Sequence, residues 1–182
     1  MQFKKIVLIL SVLGLFSCSE INTESAPVEV IVSVSQKEIV YDILNPPKSG
    51  DITIQFNSIV KRTDITDSRF LDVILDRIVI SYSRNDGGTQ VPATFSRRVA
   101  ILLKQGGTAS PGVIEIFDLG AFGQAPIAAL FPNNGGLDPV TRQAFVNLNV
   151  IVTVFGETLS GEEVSGRGSF PLTVCVGCNP PD

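Results

Sequence analysis

The sequence predicts an all-β domain, a two-sheet antiparallel sandwich of about seven strands, set behind a short N-terminal leader. Three observations predict it. Past residue 26, runs rich in Val, Ile and Phe alternate with polar residues at period two, as half-buried strands do. Clusters of Gly, Pro, Asn and Asp punctuate those runs. Only two stretches have helical character, Ala125 to Phe131 and Pro139 to Ala144, and both are short. Asp138 stands as an N-cap for the second, with Pro139 at its first helical position.

The strands follow in order. Val28 to Val34 is the first candidate. In the second, Ile52, Ile54 and Phe56 alternate with Thr53, Gln55 and Asn57. Leu71 to Tyr82 begins with Leu71, Val73 and Leu75 in one phase and resumes with Ile78, Ile80 and Tyr82 in the other, so a bulge is expected at Asp76-Arg77. Arg98 to Lys104 and Val113 to Leu119 are bounded by the turn residues Asn85-Asp86-Gly87-Gly88, Gln105-Gly106-Gly107 and Ser110-Pro111-Gly112. Phe145 to Phe155 sets Val146, Leu148, Val150, Val152 and Val154 on one face. Its hairpin partner is Val164 to Val174, joined through a glycine-containing turn, with Phe170, Leu172 and Val174 inward. Pro171 has no N–H to give a ladder, so that strand is expected at an edge or unpaired there.

This succession resembles immunoglobulin and fibronectin type III sandwiches in its strand pattern, although the inter-sheet cysteines and core tryptophan of immunoglobulin domains are absent. The segment Gly120 to Thr141 is long for a sandwich loop. Phe122, Leu130 and Phe131 within it are candidates for a contact surface, or for burial beneath the loop.

The leader has three parts. Lys4 and Lys5 precede an apolar run from Ile6 to Phe16, and Ser17 precedes Cys18. Eleven residues are too few for a bilayer span, which takes about 20 as a helix. Leu15, Phe16, Ser17 and Cys18 resemble the lipobox of bacterial lipoprotein precursors, with Phe16 bulkier than is usual there. The resemblance implies cleavage before Cys18, diacylglycerol on its sulfur and acylation of the new amino terminus, a firm anchor where one chain would bind marginally. The chain then divides into residues 1–17 as signal peptide, 18–26 as lipidated cysteine and tether, and 27–182 as one sandwich domain. Ser19 after the lipidated cysteine resembles the outer-membrane signal of proteobacterial lipoproteins. The eight tether residues, Ser19 to Ala26, extend at most ~29 Å at ~3.6 Å each.

Loss of residues 1–17 removes Lys4 and Lys5 and leaves 12 basic against 18 acidic side chains. Such a chain offers no basic stripe for nucleic acid and no polybasic patch for anionic lipid. Histidine, the common proton carrier near neutral pH and a common metal ligand, is absent.

Cys175-Val176-Gly177-Cys178 is the one conspicuous chemical cluster. In an exported protein it reads as a disulfide. A redox pair would follow better from a helix N-terminus than from a strand, zinc would need further ligands, and haem attachment would need histidine where Asn179 stands. Ser58-Ile59-Val60-Lys61 spells the S-x-x-K of penicillin-binding proteins, but in a strand those two side chains point to opposite faces. Asp64, Asp67 and Asp86 are weak calcium candidates, without EF-hand spacing and with Arg62, Arg69 and Arg77 interleaved. Asp72, Asp76 and Glu115 are the carboxylates on which a small envelope hydrolase or ligand-binding protein would depend. No cofactor is implied. The expected role is a membrane-anchored, non-enzymatic binding, adhesive or assembly module with an envelope protein or polysaccharide as partner, the alternatives being that carboxylate protein and a calcium-stabilised adhesive domain.

Overall fold

β-Branched and aromatic runs assemble into two sheets in the computed structural model, which describes residues 26–35, 39–44, 52–62, 68–112 and 114–178. The strands are β1 (Val28–Val34), β2 (Ile39–Asp42), β3 (Ile54–Val60), β4 (Val73–Arg84), β5 (Phe95–Leu103), β6 (Thr108–Ala109), β7 (Phe145–Thr158) and β8 (Glu163–Cys175). One sheet has the order β1-β3-β6; the other, curled like half a barrel, has the order β2-β8-β7-β4-β5. All neighbours are antiparallel except β2 and β8, which run parallel.

Alternation decides which faces meet. β7 buries Val146, Leu148, Val150, Val152 and Val154, and β4 buries Val73, Leu75, Ile78, Ile80 and Tyr82. These pack against Val28, Val30, Val32, Ile54 and Phe56 of the smaller sheet in one continuous core. The expected phase flip lies where the register of β4 shifts, between Leu75 and Arg77, against both β5 and β7. Gly156 stands opposite Leu75, and a Cβ there would overlap the Ile74 carbonyl oxygen and the Leu75 backbone. A glycine therefore makes room for the bulge. On the outer face beside it, the Arg77 guanidinium sits 4.3 Å above the Phe155 ring.

β8 carries glycine at two positions where β1 lies against it. A Cβ on Gly166 would overlap the Val30 carbonyl oxygen, and one on Gly168 the Val32 carbonyl oxygen. The two contacts also fix direction, since β1 advances from Val30 to Val32 as β8 advances from Gly166 to Gly168. Beyond β1 the chain leaves the small sheet, and β2 pairs with β8 from Leu172 to Cys175. β8 lies between β2 and β7, so it is not an edge strand. Pro171 pairs with Asn149 of β7 and precedes the first described β2 partner by one residue, so among the described residues β8 is flanked on one side only there.

Several segments differ from the sequence reading. Ile114 to Leu119, expected within a strand, forms none: Ile116 and Phe117 are adjacent and both buried, which alternation forbids. Pro139 to Ala144 is not a helix. Asp138 accepts from the Thr141 N–H at 2.7 Å and, through its carbonyl, from the Arg142 N–H at 2.9 Å, and Arg142 then enters the left-handed region at φ 60°, ending a single turn. Ala125 to Phe131 holds one short 3-10 turn, Ile127–Leu130. β2 and β6, four and two residues long, were not expected.

The connections gather at two poles. β1 begins, β3 ends and the β7–β8 hairpin turns at what is here the entry pole. The β4–β5 connection and the long segment between β6 and β7 lie at the opposite, loop pole.

Replacing Gly166 with alanine places a methyl group inside the β1 backbone, where no side-chain rotation can relieve it. The expected loss is about 2 kcal/mol or more, read as a lower urea midpoint. Gly161→Ala, in the open hairpin turn at φ 86°, lacks that overlap and carries only the backbone strain of a positive φ. Equal midpoints for Gly166→Ala and wild type would contradict the close packing of β1 on β8.

Candidate functional site

The loop pole is organised by a buried charge network. Arg84 closes β4, with its side chain only 2% exposed, and its guanidinium reaches two carboxylates. Nε and an Nη atom donate to Asp86 at 2.7 and 2.8 Å; the Nη atoms donate to Asp138 at 3.1 and 3.3 Å. Asp86 also accepts from the backbone N–H groups of Gly88 at 3.1 Å and Asn147 at 2.8 Å. Asp138 accepts from the Thr141 hydroxyl at 2.9 Å as well as its N–H. The network ties the end of β4, the turn after it, the start of β7 and the end of the long segment into one unit. Gly88 belongs to it by shape, because a Cβ there would overlap the Arg84 guanidinium.

Burial alone would raise the Asp86 pKa, but the bond from Arg84 and those from Asn147 and Gly88 outweigh it and hold the carboxyl at about 2. The same balance lowers Asp138, where burial is opposed by Arg84 and both donors of Thr141. Burial works against the Arg84 charge too, yet its two carboxylates raise its pKa.

The middle of the long segment is held by aromatic packing. Phe117 lies edge-on to Tyr41 with ring centroids 5.1 Å apart, is stacked with Tyr82 at 5.6 Å, and meets Phe122 at 6.0 Å. The Tyr82 hydroxyl donates to the Ile116 carbonyl. Burial and then the Asp118 charge raise the Tyr82 pKa, which keeps that donor protonated. Of the three side chains read either as a contact surface or as buried beneath the loop, Leu130 is buried, Phe122 packs into this cluster and Phe131 is half-buried. Among the described residues, Leu119, Leu137 and Val140 are the large apolar side chains of the segment that stand in solvent, Leu119 with 84% of its surface open.

Cys175 and Cys178 are at disulfide distance, their Cα atoms 5.9 Å apart. Asp42 closes the same corner: its Oδ1 accepts from the Gly177 N–H at 2.8 Å and the Leu44 N–H at 3.0 Å.

The other residues singled out in the sequence are dispersed. Asp72 accepts from the Gln105 N–H at 2.8 Å, and Glu115 pairs with Arg97. Asp76, at the bulge, borders an open depression of about 220 Å³ with Arg77, Phe155, Glu157 and Glu163, which neither Asp72 nor Glu115 lines. A second recess of about 100 Å³ lies against β5, lined by Ile78, Ile80, Phe95 and Ile114 together with Arg97 and Arg98. Both Asp86 oxygens are engaged as described, and among the described residues no group of three acidic or cysteine side chains could hold a metal ion. Ser58 Oγ is buried without a hydrogen-bond partner, while Lys61 reaches Glu29 at 3.9 Å, so the S-x-x-K residues do not act together. Cys18, Asp64 and Asp67 lie outside the described residues.

Arg84, Asp138 and Asp42 were missed as a site. Their one legible signal was Arg84 itself, an arginine ending an apolar strand directly before an Asn-Asp-Gly-Gly turn. Comparison with protein-family models, curated proteins and solved structures found no match to this chain.

The network makes stability depend on acid. A carboxyl held near 2 and ordinarily near 3.8 stabilises the fold fully above roughly pH 4 and loses that contribution as the pH falls toward 2, a change of about 2 kcal/mol. Asp86→Asn is expected to lower stability at neutral pH and to flatten the decline below pH ~4, measured by urea unfolding across pH. An unchanged acid decline in the variant would assign the acid sensitivity to other carboxyls.

Proposed function

We propose that the chain is an exported lipoprotein, anchored by acyl chains on Cys18, with an immunoglobulin-like sandwich that acts as a non-enzymatic binding or assembly module. The observation that carries the anchoring is the run from Lys4 to Cys18: basic residues, an apolar stretch too short to span, and Leu15-Phe16-Ser17-Cys18. Several acyl chains hold a protein at a membrane, and the resemblance of Ser19 to the outer-membrane signal of proteobacterial lipoproteins supports the outer membrane as that site.

The sheet orders support the immunoglobulin-like reading. β5-β4-β7-β8 corresponds to a C′-C-F-G sheet and β1-β3-β6 to A-B-E, with β2 as a continuation of the first strand that changes sheets. The disulfide-distance cysteines at the end of β8 are then a local closure and not the inter-sheet bridge of antibody domains.

The binding role rests on the loop pole. A long segment pinned by Arg84 and Phe117 presents Leu119, Leu137 and Val140 on a fixed frame, and such pre-organisation lowers the entropy cost of engaging a partner. Exposed leucine and valine suit an envelope protein better than a polysaccharide, which is bound through hydroxyl-directed hydrogen bonds.

Full-length wild type is expected in the membrane fraction and Cys18→Ser in the soluble fraction. Equal partition of the two would reject the anchoring. For the module, Leu119→Asp is expected to reduce recovery of a partner co-purified with the anchored protein while the melting temperature stays unchanged; undiminished recovery would move the contact surface elsewhere.

A further inference from the structure

Four large apolar side chains, Phe70, Ile74, Leu102 and Leu159, stand at the entry pole with 46 to 53% of their surface open. The backbone places them together. Ile74 on β4 lies directly opposite Leu102 on β5. The Leu159 N–H donates to the Asp72 carbonyl at 2.9 Å, and the Ser160 hydroxyl donates to the Phe70 carbonyl at 3.3 Å, so the β7–β8 turn and the segment entering β4 are joined. Val73, Leu75, Leu103 and Thr158 take the inward positions, which leaves Ile74, Leu102 and Leu159 outward by alternation. Apolar residues scattered singly on a surface need no account; a group assembled from three connections does.

The chain enters the fold at the same pole. The Pro27 carbonyl accepts from the Lys61 and Arg62 N–H groups at 2.8 and 3.3 Å, and Val28 pairs with Val60. Because β1 runs in the direction of β8, Ala26 lies toward Glu163 and the β7–β8 turn. Length then decides the orientation. The tether from Ser19 to Ala26 extends at most ~29 Å. The twelve residues of β4 separate the poles by roughly 36 Å at ~3.3 Å each. A tether shorter than the domain, leaving from the entry pole, cannot bring the loop pole to the bilayer that holds Cys18.

We propose that the entry pole rests on that bilayer, with Phe70 and Leu159 reaching into the headgroup region and Ile74 and Leu102 at the margin of the contact. The proposal rests on the anchored reading of Cys18. Four half-exposed side chains are too few to recruit a protein from solution, but a short tether keeps them at high effective concentration beside the lipid. The contact turns an anchored domain into an oriented one.

The chain has no tryptophan, so a single introduced tryptophan reports its own surroundings. Full-length acylated Phe70→Trp, Leu159→Trp and Leu119→Trp proteins are reconstituted into phosphatidylcholine vesicles with and without brominated acyl chains. Bromine is expected to quench the Phe70→Trp and Leu159→Trp proteins several-fold more strongly than the Leu119→Trp protein. If all three float with the vesicles and none of the entry-pole variants is quenched more than Leu119→Trp, the orientation is overturned while the anchor stands. If wild type does not float, the anchor fails and the orientation with it. Leu102→Trp, on a different strand, supplies the same measurement should either first variant fold poorly.

Discussion

The fold depends on how closely β1 can approach β8. Gly166 and Gly168 leave room for the Val30 and Val32 carbonyls where any side chain would hold the strands apart. That approach seats the small sheet on the large one and puts Val28, Val30 and Val32 into the common core. It also aims the chain at the stretch of β8 past Pro171, where β2 completes the parallel pairing. One pair of missing Cβ atoms thus determines sheet packing, strand exchange and the direction from which the N-terminal segment arrives.

A second constraint works at the other end. Burying Arg84, Asp86 and Asp138 has a desolvation cost that a hydrophobic trio would avoid. Here the cost is offset by geometry: two carboxylates share one planar guanidinium, and three backbone N–H groups and a hydroxyl satisfy the remaining lone pairs. What a hydrophobic trio would not supply is direction. Asp138 is fifty-four positions from Arg84, and the pairing admits only one placement for the end of the long segment. The network fixes where the loop pole's exposed residues stand without those residues having to be buried.

Much of the strand pattern was legible because it is local. Val28 to Val34 and the two phases around Asp76 each declare themselves by alternation. The errors have physical causes. Ile39 to Asp42 is too short to alternate visibly and owes its strand form to β8, more than a hundred residues away. Ile114 to Leu119 has strand-like composition, but Ile116 and Phe117 are buried side by side, and the Phe117 ring serves an aromatic cluster and not a pleat. Asp138 was recognised as a cap, yet its carboxylate is shared between a single turn and Arg84, and the guanidinium takes the place of further helix. Of the candidate site residues, Cys175 and Cys178 were legible from spacing alone, whereas the charge network joins residues that only the folded chain brings together.

The two poles differ in a way that bears on the proposed role. Two tight turns meet at the entry pole, Gln105-Gly106 and the hairpin at residues 159–162. Long connections meet at the loop pole, where the residues between β6 and β7 alone outnumber any strand. In the orientation proposed above, the long connections would face outward, roughly the length of β4 beyond the lipid. Tethering and elaboration are then not independent features. The glycines that let β1 follow β8 set the end at which the chain enters, and the end opposite is where a buried arginine spends its charge on holding a loop still.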